Sequence, residues 1–150
     1  MSEEQATPHM DPYRAWLEAR LGQVIHDSPS PLGNWLEGRL VALHDDGVTM
    51  SFVVRPEMTN PSQVLHGGIA AAIMDELLGA SLFAMSGGRY HASVNLSVDY
   101  LAPARVGATV TARSRILRRG RRVVNATCTL ANETGDLLAH ATSNLLAIDE

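Results

Sequence analysis

From about Gly67 to Met85 the chain is apolar on nearly every side, with charges only at Asp75 and Glu76 near its middle. A helix that is hydrophobic all round belongs inside a protein, and at 1.5 Å per residue about 19 residues make a rod of roughly 28 Å, long enough to cross a small domain. Ser86, Gly87 and Gly88 break it. Ahead of it, Trp35 to Leu43 and Val48 to Arg55 read as strands around His44, Asp45, Asp46 and Gly47, where Asp-Gly favours a hairpin reversal. Pro56 closes the second strand, and a polar loop, Glu57 to Gln63, leads to the helix.

Beyond Gly88 no helical period is convincing, and the chain divides at Pro103 to Gly107, at Arg119-Gly120 and at Asn132 to Gly135 into four β-like runs. In the first of these, Ala92, Val94, Leu96, Val98 and Tyr100 alternate with Ser93, Asn95, Ser97 and Asp99, which predicts one apolar and one polar face. Such a strand suits a sheet edge, which must be covered or paired. At the other end of the chain, residues 1–10 read as a loose tail. Asp11 and Pro12 signal the start of a helix over Tyr13 to Val24, and His26 to Gly33 reads as a connector. Two strands, one long apolar helix and four further strands predict an α+β domain over residues 11–150, in which a six-stranded antiparallel sheet covers one central helix.

Length and composition agree with one folded domain: 150 residues, 45% hydrophobic and 19% charged. The net charge of −4 gives no broad attraction to nucleic acid. A polar, acidic start and a single cysteine, Cys128, point to the cytoplasm rather than to secretion. Asp75 and Glu76 argue against a membrane span through the apolar helix. Cys128, in an apolar-rich run, reads as a small buried hydrophobe. The histidines lack metal-ligand spacing and no nucleotide fingerprint occurs, so no metal and no cofactor are expected.

Candidate chemistry gathers around the start of the apolar helix. Gly67 and Gly68 leave unshielded backbone N–H groups at the positive end of a helix dipole, fit to stabilise an oxyanion; they also suit a plain tight turn. Asp75 shares a side with Gly68, Ala71, Ala72 and Gly79, so its carboxylate looks along a trough of small residues. There it serves as general base or nucleophile, or else as a buried hydrogen-bond acceptor. Glu76 points about 100° away and reads as structural or interface polar. His66 can cap the helix, orient the loop or meet a substrate, and Asn60 by itself is a turn residue ahead of Pro61. Ser93 is a hydroxyl on the polar strand face. Arg113, Arg115, Arg118, Arg119, Arg121 and Arg122 bracket Gly120 in a basic run, which is either a solvated strand face or a phosphate-binding turn.

The joint spacing of Asn60 and Pro61, of His66, Gly67 and Gly68, of Asp75, and of Ser93, Asn95, Tyr100 and Pro103 resembles the hotdog-fold acyl-CoA thioesterases of the PaaI-like group, related to the 4-hydroxybenzoyl-CoA thioesterases. The resemblance spans roughly Leu32 to Ile148. It implies hydrolysis of acyl-CoA or aryl-CoA thioesters, with the Gly67 N–H as oxyanion donor and Asp75 as the working carboxylate. Asn60 would hold the thioester or the attacking water, and Ser93 would orient that water. Coenzyme A, which enters only as part of the substrate, would meet Tyr100, Pro103 and Arg105 and then Arg118, Arg119, Gly120 and Arg121. The resemblance further implies homodimers assembling into homotetramers, with Asn and Gly from one subunit joined to carboxylate and Ser from the other. A non-catalytic acyl-CoA sensor and an enoyl thioester hydratase are the alternatives.

Overall fold

The computed structural model describes residues 11–148, so the expected tail over 1–10 lies outside the described residues. Helix α1 (Pro12–Glu18) starts where Asp11 accepts hydrogen bonds from the N–H groups of Tyr13 and Arg14 at 2.8 and 3.1 Å. The expectation that it runs to Val24 is corrected: it closes at Ala19, and Gly22 takes a left-handed φ of +80°. Residues 22–25 instead pair with strand β1 (Arg39–His44), through Gly22 N–H to the Leu40 carbonyl at 2.7 Å and Ile25 N–H to the Gly38 carbonyl at 2.9 Å.

A second correction concerns the connector. Residues Pro31–Leu36 form helix α2, so Trp35 is helical and the first strand begins only at Arg39. The signal was present in Ser30-Pro31: the Ser30 hydroxyl caps the N–H of Gly33 at 3.1 Å, and proline occupies the first turn. Glu37, left-handed at φ 54°, ends the helix.

Strand β2 (Gly47–Val53) returns from the hairpin, and α3 (Gly67–Met85) spans the expected run. Strands β3 (His91–Tyr100), β4 (Thr109–Arg119), β5 (Val123–Ala131) and β6 (Leu137–Ala147) follow. All pairings are antiparallel, in the order β1-β2-β4-β5-β6-β3. Helix α3 lies on the inner face of this sheet. Its Ile73, Met74, Leu77 and Leu78 are wholly buried, and the sheet meets them with small residues, Ala112, Ala126 and Ala141, which leave room for a close-lying helix. By length and composition α3 would cross a membrane, but here it is the core helix. Cys128 is fully buried in this core, and burial pushes its thiol up to about 12, so it is no nucleophile.

Strand β3 forms one edge of the sheet, as expected, but its alternation is interrupted. Ser93 pairs with Leu145 and Asn95 with Asn144, leaving Val94 as the extra residue of a bulge. The extra residue reverses the phase, so Ser93 shares the inward side with Leu96 and Val98 rather than the polar face of Asn95, Ser97 and Asp99. Val94 is turned out to solvent, 62% exposed.

Candidate active site

The loop before α3 is pinned by backbone. The His66 N–H donates to the Met58 carbonyl at 2.9 Å, and the Leu65 N–H to the Ala104 carbonyl at 2.7 Å. These bonds set Asn60, Pro103 and Arg105 around the helix start, where Val64 also bridges Arg105. The Asn60 Oδ1 accepts from the N–H groups of Ser62 and Val64 at 3.0 and 3.4 Å, which leaves its amide Nδ2 as the donor without a partner among the described residues. His66 is the cap: its Nδ1 accepts from the Gly68 N–H at 2.9 Å, and its carbonyl accepts from Ile69 and Ala70. With Nδ1 accepting, a neutral His66 carries its proton on Nε2. The Gly67 N–H has no partner among the described residues. Of the two glycines at the tip, only Gly67 therefore offers an open donor, at the end of a 19-residue helix.

Along the same helix, Asp75 meets Ser93, whose hydroxyl donates to Oδ1 at 2.6 Å. The β3 bulge makes this possible by turning Ser93 inward. The trough beside Asp75 is real: a Cβ added at Gly79 would meet nothing within 4 Å. The carboxylate is half-buried, and its Oδ2 has no hydrogen-bond partner among the described residues.

Glu76 turns the other way, away from the core, and lines a groove of about 200 Å³ with Tyr13, Ser28, Gly79, Phe83 and Tyr90. Glu76 also crowds Gly33, where a Cβ would stand 2.7 Å from the Glu76 Oε1. Burial, then the Glu76 carboxylate, raise the Tyr13 hydroxyl above its usual range. Tyr13 and Phe83 meet edge to face at 4.7 Å in its wall. Tyr13 and Phe83 are separated in sequence by 70 positions, so no local spacing announces the groove.

Two separations divide the candidate residues within one chain. Asp75 lies eight residues beyond Gly67, a rise of about 12 Å, so it cannot act on a carbonyl held at the tip of its own helix. The two segments implied to hold coenzyme A are also apart. Tyr100 pairs with Ala139 at one end of the sheet, whereas Arg119, through Val124 and Leu145, shares the transverse row of Ser93 at the other. Seven residues of strand separate these rows, about 23 Å. The basic run is divided as well. Arg113 is committed to Asp46 at 2.6 Å, while Arg118 and Arg121 face a hollow of about 410 Å³ at the β4–β5 turn. Among the described residues no group of three or more His, Cys, Asp or Glu side chains is placed to hold a metal ion.

Each half of the arrangement is complete in itself: an oxyanion donor with Asn60 at one end, and a carboxylate–hydroxyl pair at the other. Residues 62–139, just over half of the chain, match the thioesterase superfamily, and the chain belongs to that family of thioester hydrolases. A curated relative, acyl-coenzyme A thioesterase 13 of Homo sapiens, is 30% identical over 108 residues, covering 72% of each chain. Among solved structures, the PaaI protein of E. coli superposes with a TM-score of 0.71 at 18% identity, covering 77% of this chain and 86% of that one. A Streptococcus mutans protein bound to acetyl CoA reaches 0.74 at 19% identity, covering 84% of this chain and 97% of that one. The hotdog architecture expected from the resemblance is thereby shown.

Proposed function

We propose that this chain hydrolyses acyl-CoA or aryl-CoA thioesters, in a site made by two copies paired antiparallel through their β3 edges. The observation that carries the reading is the 2.6 Å Ser93–Asp75 bond beside an open trough, on a helix whose own tip holds an unpartnered N–H. A two-fold axis across β3 sets one end of the sheet against the other end of its copy. Asp75 and Ser93 of one chain then stand near Asn60 and Gly67 of the other. The same operation brings Arg118, Arg119, Gly120 and Arg121 beside the other chain's Tyr100, Pro103 and Arg105, so one axis reunites both divided pairs. The relative named acyl-coenzyme A thioesterase 13 and the acetyl-CoA-bound structural neighbour support a coenzyme A thioester as the substrate. Pairing of such dimers into tetramers is part of the proposal and rests on the resemblance.

In this mechanism the Gly67 N–H and the helix dipole stabilise the negative charge that develops on the carbonyl oxygen. Ser93 holds one oxygen of Asp75, and the other takes a proton from the attacking water; the tetrahedral adduct then breaks its C–S bond, and the departing coenzyme A thiolate takes that proton from Asp75. The Asn60 amide donates to the thioester or to that water. The arginines of the β4–β5 turn meet the phosphates of the coenzyme, which their planar forks suit. The groove lined by Glu76 and Gly79, one helical turn beyond Asp75, receives the acyl group. At about 200 Å³ it lies below the ~300–1,000 Å³ of pockets for drug-sized ligands, which favours a compact acyl group over a long chain.

The test is thiol release from a panel of aliphatic and aromatic CoA thioesters, with Asp75→Asn as the variant. Turnover is expected to fall by about 10²–10⁴-fold while inhibition by free coenzyme A stays as it was. Retained hydrolysis in the variant removes Asp75 from the chemistry. Binding without thiol release by the unaltered chain identifies a sensor, and water addition to crotonyl-CoA identifies a hydratase.

A further inference from the structure

The peptide between Gly67 and Gly68 is held at both ends. Its N–H donates to the His66 Nδ1 at 2.9 Å, and its carbonyl accepts from the Tyr100 hydroxyl at 2.6 Å. The second of these bonds is unexpected on structural grounds. The carbonyl of a residue in the first turn of a helix already accepts from the N–H four residues on, so the Tyr100 bond occupies its second lone pair and is not needed to satisfy it. Tyr100 is itself 56% exposed, so burial does not force its hydroxyl to seek a partner. The ring lies equally close: a Cβ at Gly67 would stand 3.2 Å from Cζ and 3.3 Å from the hydroxyl oxygen. Gly67 and Tyr100 are thus fitted closely to one another, and a Cβ at this position would need the exposed Tyr100 ring to give by a few tenths of an ångström.

Glycine at such a tip has wide freedom in φ and ψ, and an N–H on a loosely held glycine has no fixed direction. Here the peptide before Gly67 is fixed through the His66 carbonyl, bonded to Ile69 and Ala70, and the peptide after it is fixed by His66 Nδ1 and Tyr100. Both dihedrals of Gly67 are then set, and its N–H is left unpartnered and aimed.

We propose that Tyr100 is a positioning residue for the oxyanion donor. Through the Gly67 carbonyl it holds the Gly67 N–H in the direction in which charge develops on the thioester oxygen, in addition to any contact Tyr100 makes with coenzyme A. This rests on the thioesterase reading above and deepens it.

The experiment is steady-state hydrolysis of one CoA thioester by the unaltered chain, Tyr100→Phe, His66→Ala and the double variant. Phenylalanine keeps the ring against Gly67 and removes only the hydroxyl. In Tyr100→Phe, kcat is expected to fall about tenfold, less than the ~10²–10³ of losing an oxyanion donor outright, while KM and inhibition by free coenzyme A change less than about twofold. Because His66 and Tyr100 hold one peptide, the double variant is expected to lose less than the product of the single losses. Unchanged kcat in Tyr100→Phe, or a raised KM at full kcat, overturns the positioning role while leaving hydrolysis intact. Multiplicative losses in the double variant overturn it too. No hydrolysis by the unaltered chain overturns the functional reading and this one with it.

Discussion

Along the β1 edge of the sheet, residues 22–25 lie beside the start of the strand and pair with the N–H and carbonyl of Leu40, which is wholly buried, and with the Gly38 carbonyl. Along the β3 edge nothing among the described residues does the same. There Val94 is 62% exposed, and Tyr100 and Leu101 are more than half exposed. An open edge of ten residues is an association hazard unless something pairs with it. The difference teaches where self-sufficiency ends. The covered edge is finished within one chain. The open edge carries Ser93 and Tyr100, one from each half of the candidate site, and in the proposed dimer a second copy brings the halves together.

The comparison breaks most severely if the open edge is spoiled. Val94→Lys together with Ser97→Lys sets like charges along a self-paired edge without touching the residues given catalytic roles. The expected outcome is a monomer by light scattering and a loss of kcat/KM on the order of 10²-fold or more, the scale of losing an oxyanion donor. An active monomer would contradict the shared site.

Spoiling the covered edge should act on stability instead. Ile25 is buried in the segment that pairs with β1, and Ile25→Ala is expected to cost about 2–5 kcal/mol. That lowers the melting temperature by roughly 5–15 °C in a chain of this size, measured by calorimetry. Oligomeric state, and kcat at temperatures where the chain is folded, should stay near their unaltered values. A change of oligomeric state without a change in stability would reverse the roles given to the two edges.

Much of this arrangement is legible in the residues, and the reasons differ by element. The bounds of α3 could be read because its apolar run ends in glycines, and the last four strands because turn chemistry separates them. Helix α2 is not legible because Ser30-Pro31 looks like loop punctuation as readily as a cap, and the helix it opens is only six residues long. The β3 bulge was invisible: alternation continues unbroken through Val94, while the pairing with β6 that inserts it is a long-range choice. Asp75, Gly67 and Ser93 could be picked out singly from helix periodicity and strand pattern. Their division between two subunits follows only from the family resemblance, because periodicity along one helix does not say which chain supplies the partner. The Tyr100–Gly67 bond joins residues 33 positions apart and leaves no local trace.

The shared site is tested most directly by complementation between chains. Asp75→Asn removes the carboxylate, and Gly67→Pro removes the oxyanion N–H at a helix position where proline is tolerated. The two variants are produced together under different tags and the mixed species isolated, and each is also assayed alone. The account predicts that each variant alone is nearly inactive. Random mixing should restore about a quarter of the unaltered activity, and the purified mixed dimer about half, because one of its two sites then has every wild-type group. A mixed species as inactive as its parents would mean that one chain supplies the whole site, and would contradict the account.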